Sequence, residues 1–222
     1  YGSCRTVTMK SAHPVLLGIT LGAPAGIGPE IALKAAYGRH WPETLKLILV
    51  GSRQVVQREC RCGKWALPPV WLPGSPAPAG TVACWDPDPG MSLPIVRGCC
   101  RARSAQAAAA WIRAATGAAQ VGRLDGIVTG PICKEGLAKA GIPYTGHTEM
   151  LAALTGAKRF AMMLIGGPLR VVLATRHIPL AEVSRRLRPA DIVVAGEMAA
   201  QGLQWLGVRN STVGFCALNP HA

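Results

Sequence analysis

The strongest constraint on this chain is a pattern without sequence repeat: short apolar runs that end at turn residues, with helical stretches alternating between them. Residues 15–22, VLLGITLG, are followed by Gly22-Ala-Pro-Ala-Gly-Ile-Gly28-Pro29-Glu30 and a helical stretch to about Tyr37. Runs of this length bounded by turn residues read as buried strands. Pro29 suits a first helical turn, where its missing N–H would have had no partner. A second strand is expected at residues 45–50, LKLILV, ahead of Gly51. A third is expected at residues 124–129, LDGIVT, followed by Gly130-Pro131 and a short helix over about 134–140. Strands alternating with helices imply a layered α/β sheet.

The other segments fill in around this frame. The proline- and glycine-rich stretch 67–94 reads as loop and extended chain. The alanine run of 104–119, with Trp111, reads as a helix by propensity. Gly141-Ile-Pro143 stops the helix before it, and Thr145-Gly-His-Thr-Glu149 opens the next. Residues 162–165 and 169–175 are apolar runs split by Gly166-Gly-Pro168, a hairpin-like pair. Helices are expected over 179–187 and 190–206, and a final strand over 212–218. Residues 1–14 read as a poorly ordered extension. They hold no apolar signal region, and Met9 is a plausible start.

Composition narrows the function classes. Half of the 222 residues are hydrophobic, which excludes a disordered chain. No apolar run is long enough to expect a membrane span. The net charge is +13, from 24 Lys and Arg against 11 Asp and Glu. The cations are scattered, with no long basic block and no interleaved aromatic ladder. The charge therefore suits steering of an anionic small molecule better than nucleic-acid binding. Eight cysteines stand at 4, 60, 62, 84, 99, 100, 133 and 216. Their spacings do not fit structural zinc pairs, and a chain of this size needs no staples, so free thiols in a reducing cytoplasm are expected.

In α/β sheets, sites lie beyond the carboxyl ends of the strands. Four turns occupy such places: 22–30, 129–134, 175–179 and 219–222. The glycines of the first serve either a ligand or a tight strand-to-helix turn. Lys134 in the second is either a solvated cation or an anion contact. His147 and Thr148 stand where a helix begins, a place that suits anions. An imidazole there can exchange a proton, bind a metal or serve as an ordinary hydrogen-bonded residue. His177, in Thr175-Arg176-His177-Ile-Pro179, and His221, in Asn219-Pro220-His221, match no local metal motif, although distant ligands can converge at neighbouring strand ends. His13 and His40 read as surface histidines.

Taken together, five blocks resemble the 4-hydroxythreonine-4-phosphate dehydrogenase family of vitamin B6 biosynthesis. They are Gly-Ala-Pro-Ala-Gly-Ile-Gly-Pro-Glu at 22–30, Val-Thr-Gly-Pro-Ile-Cys-Lys at 128–134 and Ala-Gly-Ile-Pro-Tyr-Thr-Gly-His-Thr-Glu at 140–149. Arg-His-Ile-Pro-Leu at 176–180 and Leu-Asn-Pro-His-Ala at 218–222 complete the set. The resemblance runs from about residue 15 to the end and is weakest over 52–103. It implies a three-layer α/β/α architecture of two domains, like isocitrate and isopropylmalate dehydrogenases, with residues 15–222 covering parts of both and the C-terminal third absent.

The resemblance also implies a cytoplasmic homodimer that oxidises a phosphorylated hydroxy amino acid with NAD or NADP, followed by loss of carbon dioxide to give 3-amino-2-oxopropyl phosphate. It assigns His147 and Thr148 to substrate. His177 and His221 become two of three ligands to one divalent ion (zinc, magnesium or cobalt), the third histidine lying outside this sequence. Such ligands bind as neutral imidazoles, so activity is expected to fall at low pH. Paralogues on the same scaffold act on four-carbon sugar-acid phosphates or dihydrodiol carboxylates, and an inactive or binding-only fragment is a further reading. Three residues depart from the family pattern: Ala23 replaces an acidic residue, Cys133 an Asn and Arg176 a Thr.

Overall fold

The computed structural model describes residues 13–91, 93 and 95–219. The chain divides into two compact units, one ending at Thr155 and one beginning at Gly156. Met9, most of the 1–14 extension and His221 lie outside the described residues.

In the first unit, β1 (Val15–Thr20), β2 (Leu45–Val50), β3 (Val82–Trp85) and β4 (Gly126–Thr129) form one sheet in the order β3-β2-β1-β4. All pairings are parallel, with Leu17 opposite Leu47 and Gly126, and Thr20 opposite Val50 and Thr129. Helix α1 (Gly28–Tyr37) joins β1 to β2, and α2 (Arg53–Gly63) joins β2 to β3. Right-handed crossovers in one direction put these two helices on one face of the sheet. The chain then reverses, so α3 (Ala102–Gln120) crosses back on the other face, against β1 and β4. Two shorter helices follow, α4 (Lys134–Lys139) and α5 (His147–Thr155), both beside α3. This is the expected α/β/α layering.

The core follows from which strands are covered on both faces. From Lys46 to Val50, β2 is buried throughout, and it packs with Ile19, Leu21, Leu33 and Trp111. Helix α3 approaches the sheet closely because its inner face is mostly alanine: Ala107 and Ala115 are buried beside Trp111. Its neighbouring face belongs to a second cluster, in which Ala105, Ala109 and Ile112 meet Leu137 of α4 and Met150 of α5. Burying five such side chains amounts to several kcal/mol, which sets the positions of α4 and α5.

The second unit holds the hairpin of β5 (Met163–Gly166) and β6 (Leu169–Val172), paired antiparallel as the Gly-Gly-Pro signal implied. Helices α6 (Leu180–Arg186) and α7 (Pro189–Trp205) follow. Helix α7 comes close to β5 at Gly202, where a Cβ would lie 2.6 Å from Met163 Cε.

Three expectations are corrected. Residues 212–218 form no strand: the segment is irregular and largely exposed, with Phe215 and Leu218 open to solvent. An apolar run becomes a strand only when a neighbouring ladder takes its N–H and C=O groups, and none among the described residues does. The stretch 67–94 is more than loop. Its middle supplies the edge strand β3, and Val70 bridges to Cys84 while Trp71 is buried. The cysteines are not all free: Cys100 and Cys133 are joined by a disulfide, with Cα atoms 6.6 Å apart.

Candidate functional site

In the order β3-β2-β1-β4, the connections leave β1 toward β2 on one side while β4 lies on the other. The crevice beyond Thr20 and Thr129 is therefore the topological switch point, where open α/β sheets bind their ligands. The turns that border it are the glycine-rich 22–30 turn and Gly130-Pro131-Ile132-Cys133, two of the four singled out in the sequence.

These turns are locked together. Ala23 N donates to Pro131 O at 2.8 Å, and Gly130 N donates to Thr20 O at 3.0 Å and to the buried Thr20 Oγ1 at 3.2 Å. The glycines are explained by this approach. Gly22 has φ +67°, and a Cβ on it would lie 2.3 Å from Pro131 O. A Cβ on Gly28 would lie 2.3 Å from Leu21 O. Of the two readings of the glycines in 22–30, the structure supports the tight turn. From outside, Arg58 donates to Pro24 O at 3.1 Å and Gly98 N to Ala25 O at 2.9 Å. Arg58 and Arg97 both reach the carboxylate of Glu59, which is buried in α2 at 4% exposure. Sequence reading missed this triad because it missed α2. The signal was the one-faced spacing of Val55, Val56, Glu59 and Cys60 in a charged segment.

His147, half-buried, is the first residue of α5. Its Nε2 lies 3.1 Å from Gly130 O. A carbonyl only accepts, so Nε2 carries the hydrogen, and in the neutral ring Nδ1 keeps its lone pair. Burial pushes the imidazole pKa below its ordinary value of 6.5, against a smaller opposing effect of the Gly130 hydrogen bond. The ring is thus neutral at pH 7 and able to accept a proton or coordinate a cation through Nδ1. Thr148 follows on the same first turn, half-buried. Cys133 Sγ accepts from Gly136 N at 3.3 Å and so caps α4, as the Asn usual at this position in the family would by its side-chain oxygen. Lys134, the first residue of α4, is exposed.

In the second unit, His177 is exposed and has φ +52°, left-handed for a non-glycine residue. Arg176 beside it lies over the Phe160 ring at 4.6 Å and donates to Phe160 O at 3.3 Å. Among the described residues, no three His, Cys, Asp or Glu side chains gather to hold a metal ion. The described residues therefore do not by themselves fit a divalent ion. Two cavities of about 360 and 310 Å³ lie elsewhere, near the amino ends of the strands. The larger is lined by Tyr37, Trp41 and Val82, the smaller by Leu16, Trp71 and Arg123. No helix among the described residues is long and apolar enough to cross a membrane.

A parallel sheet covered on both faces, with paired polar turns at its switch point, defines the first unit as an α/β/α domain of the kind that carries enzyme sites. The family model described as Pyridoxal phosphate biosynthetic protein PdxA matches residues 43–222, and the chain belongs to this family. It is 37% identical over 212 residues to a 4-hydroxythreonine-4-phosphate dehydrogenase of Desulfosudis oleivorans, covering 93% of this chain and 62% of that protein. A D-threonate 4-phosphate dehydrogenase of Cupriavidus necator is 34% identical over 224 residues, with 96% and 65% covered. Among solved structures, a 4-hydroxythreonine-4-phosphate dehydrogenase from Burkholderia phymatum superposes with a TM-score of 0.76 at 29% identity, covering 94% of this chain and 64% of that one. The chain thus spans about three fifths of the length of the relatives it matches.

Proposed function

We propose that this chain is part of an NAD(P)- and divalent-metal-dependent dehydrogenase of 4-phosphohydroxy-L-threonine, acting in pyridoxal phosphate biosynthesis. The alcohol is oxidised and the resulting β-keto acid loses carbon dioxide to give 3-amino-2-oxopropyl phosphate. The observation that carries this reading is the His147–Gly130 pairing at the switch point, formed by two of the motifs that mark the family. His147 and Thr148 are proposed to bind substrate. Nδ1 of the neutral imidazole and the Thr148 hydroxyl are the polar atoms offered there. The N–H groups of the first turn of α5 suit a phosphate.

His177 and His221 are proposed as two ligands of a divalent ion (zinc, magnesium or cobalt), with a third histidine beyond this sequence. The left-handed backbone at His177 supports a positioned rather than incidental side chain, since such conformations gather at functional sites. The 222 residues alone then offer too few donors for tight metal binding, and the chain by itself is expected to turn over negligibly. The two units are proposed as parts of the family's two domains, in a cytoplasmic homodimer.

The test is reduction of NAD or NADP by the full-length gene product, supplied with 4-phosphohydroxy-L-threonine and each metal in turn. Metal-dependent formation of NAD(P)H and release of carbon dioxide are expected; no reduction under any of these conditions would sink the reading. The Cupriavidus necator relative favours one alternative, D-threonate 4-phosphate as substrate. A higher kcat/KM for that acid would select it.

A further inference from the structure

Cys133 lies on the turn whose Gly130 and Pro131 carbonyls receive His147 and Ala23, and it is bonded to Cys100, two residues ahead of α3. The surroundings are shaped to this pairing. A Cβ on Gly136 would lie 2.9 Å from Cys100 Sγ and 3.1 Å from Ala105 Cβ, so glycine lets α4 come this near. The Cys133 sulfur also accepts from Gly136 N, so one atom both caps the helix and anchors the turn. Cys100 and Cys133 are half-exposed, within reach of small thiols, whereas Cys60 and Cys84 are buried in the core. Disulfides in a reducing cytoplasm are mostly transient and regulatory, so a bond at the edge of a binding crevice has the setting of a switch.

We propose that Cys100 and Cys133 form a reversible redox pair that fastens the β4–α4 turn to the start of α3. The oxidant is a small-molecule disulfide such as oxidised glutathione. The thiolate of one cysteine attacks it, forming a mixed disulfide and expelling one small thiolate. The second cysteine's thiolate then attacks the protein sulfur of that mixed disulfide and expels the other. Two protein S–H groups are lost, one S–S bond is gained, and the two protons end on the two small thiols. A dithiol reductant reverses both steps. Oxidised, the turn is held by Thr20, Ala23, His147 and Cys100; reduced, it loses the Cys100 anchor and keeps the hydrogen bonds. This inference rests on the cytoplasmic location proposed above, but not on which reaction the site performs.

The test uses the 222-residue chain in glutathione buffers of graded oxidation, with thiols trapped by alkylation and digested for mass mapping. The expected product links the peptide holding Cys99 and Cys100 to the peptide holding Cys133. The link should persist in C99S and vanish in C100S and C133S. In wild type and C99S, amide exchange at Gly136 and Leu137 is expected to run about tenfold faster after reduction. A link that survives in C100S, the absence of any Cys133 link at every buffer ratio, or exchange unmoved by reduction in C99S would each overturn the proposal. C99S leaves both partners intact, so the outcome does not depend on how C100S or C133S folds.

Discussion

His147 Nε2 donates to the carbonyl of Gly130, tying the first residue of α5 to the turn after β4 across 17 residues of sequence. The same contact fixes the tautomer and leaves Nδ1 facing away from the bond as the ring's only lone pair.

That arrangement has a pH signature. The folded pKa of His147 lies below 6.5, so the unfolded chain binds more protons in this range and stability rises with pH. The contribution is present above about pH 6.5 and is lost as pH falls through the lower folded value. The Tm of the wild-type chain should drop between pH 7 and pH 5 more steeply than that of H147Q, and the His147 ring resonances should titrate below 6.5. Equal slopes in both proteins would contradict this.

Gly22 and Gly117 should respond in opposite directions to alanine. At Gly22 the backbone is left-handed and a Cβ would strike Pro131 O, so G22A is expected to cost about 2–4 kcal/mol in urea unfolding. At Gly117, inside α3, a Cβ meets nothing within 4 Å, and G117A should stabilise by about 0.5–1 kcal/mol.

The Glu59 carboxylate is buried, while its partners Arg58 and Arg97 are partly and mainly exposed. E59Q leaves two cations that water can still reach, so a loss of about 1–2 kcal/mol is expected rather than the larger cost of a stranded buried charge. Because Arg58 also holds Pro24 O, amide exchange over residues 23–27 should quicken in E59Q beyond what the global loss explains.

The proposed role of His177 as a metal ligand predicts that His177→Ala in the full-length product weakens zinc or cobalt binding by about a hundredfold, read by competition with a chelating dye. An unchanged affinity would remove His177 from the ligand set. H40A, at an exposed histidine next to the Trp41-lined cavity, is the control expected to leave affinity unchanged.

Much of the frame was legible because its signals are local. VLLGIT before the Gly22–Glu30 turn, and GIVT before Gly130-Pro131, announce strand ends by residue type alone, and His147 was legible as a helix opening. What escaped depends on partners distant in sequence. Helix α2 hides its buried side within a segment of mean polar character, and its Glu59 is paired not only by the adjacent Arg58 but by Arg97, 38 residues on. Strand β3 lies among prolines and exists because β2 offers Leu47–Val50 as a ladder. TVGFCAL at 212–218 has strand-like residues but no such offer among the described residues. The Cys100–Cys133 pair is 33 residues apart in sequence, a separation that carries no local mark.

Helix α3 has a consequence for how this molecule responds to change. One side of it, with Ala107, Trp111 and Ala115, is packed into the sheet core; the other, with Ala105, Ala109 and Ile112, carries α4 and α5. A single rigid rod thus serves as the axle between the sheet and the helix that bears His147. Enlarging an alanine on either side would displace the imidazole from Gly130 without touching either residue, so the crevice is sensitive to mutations a full helix diameter away.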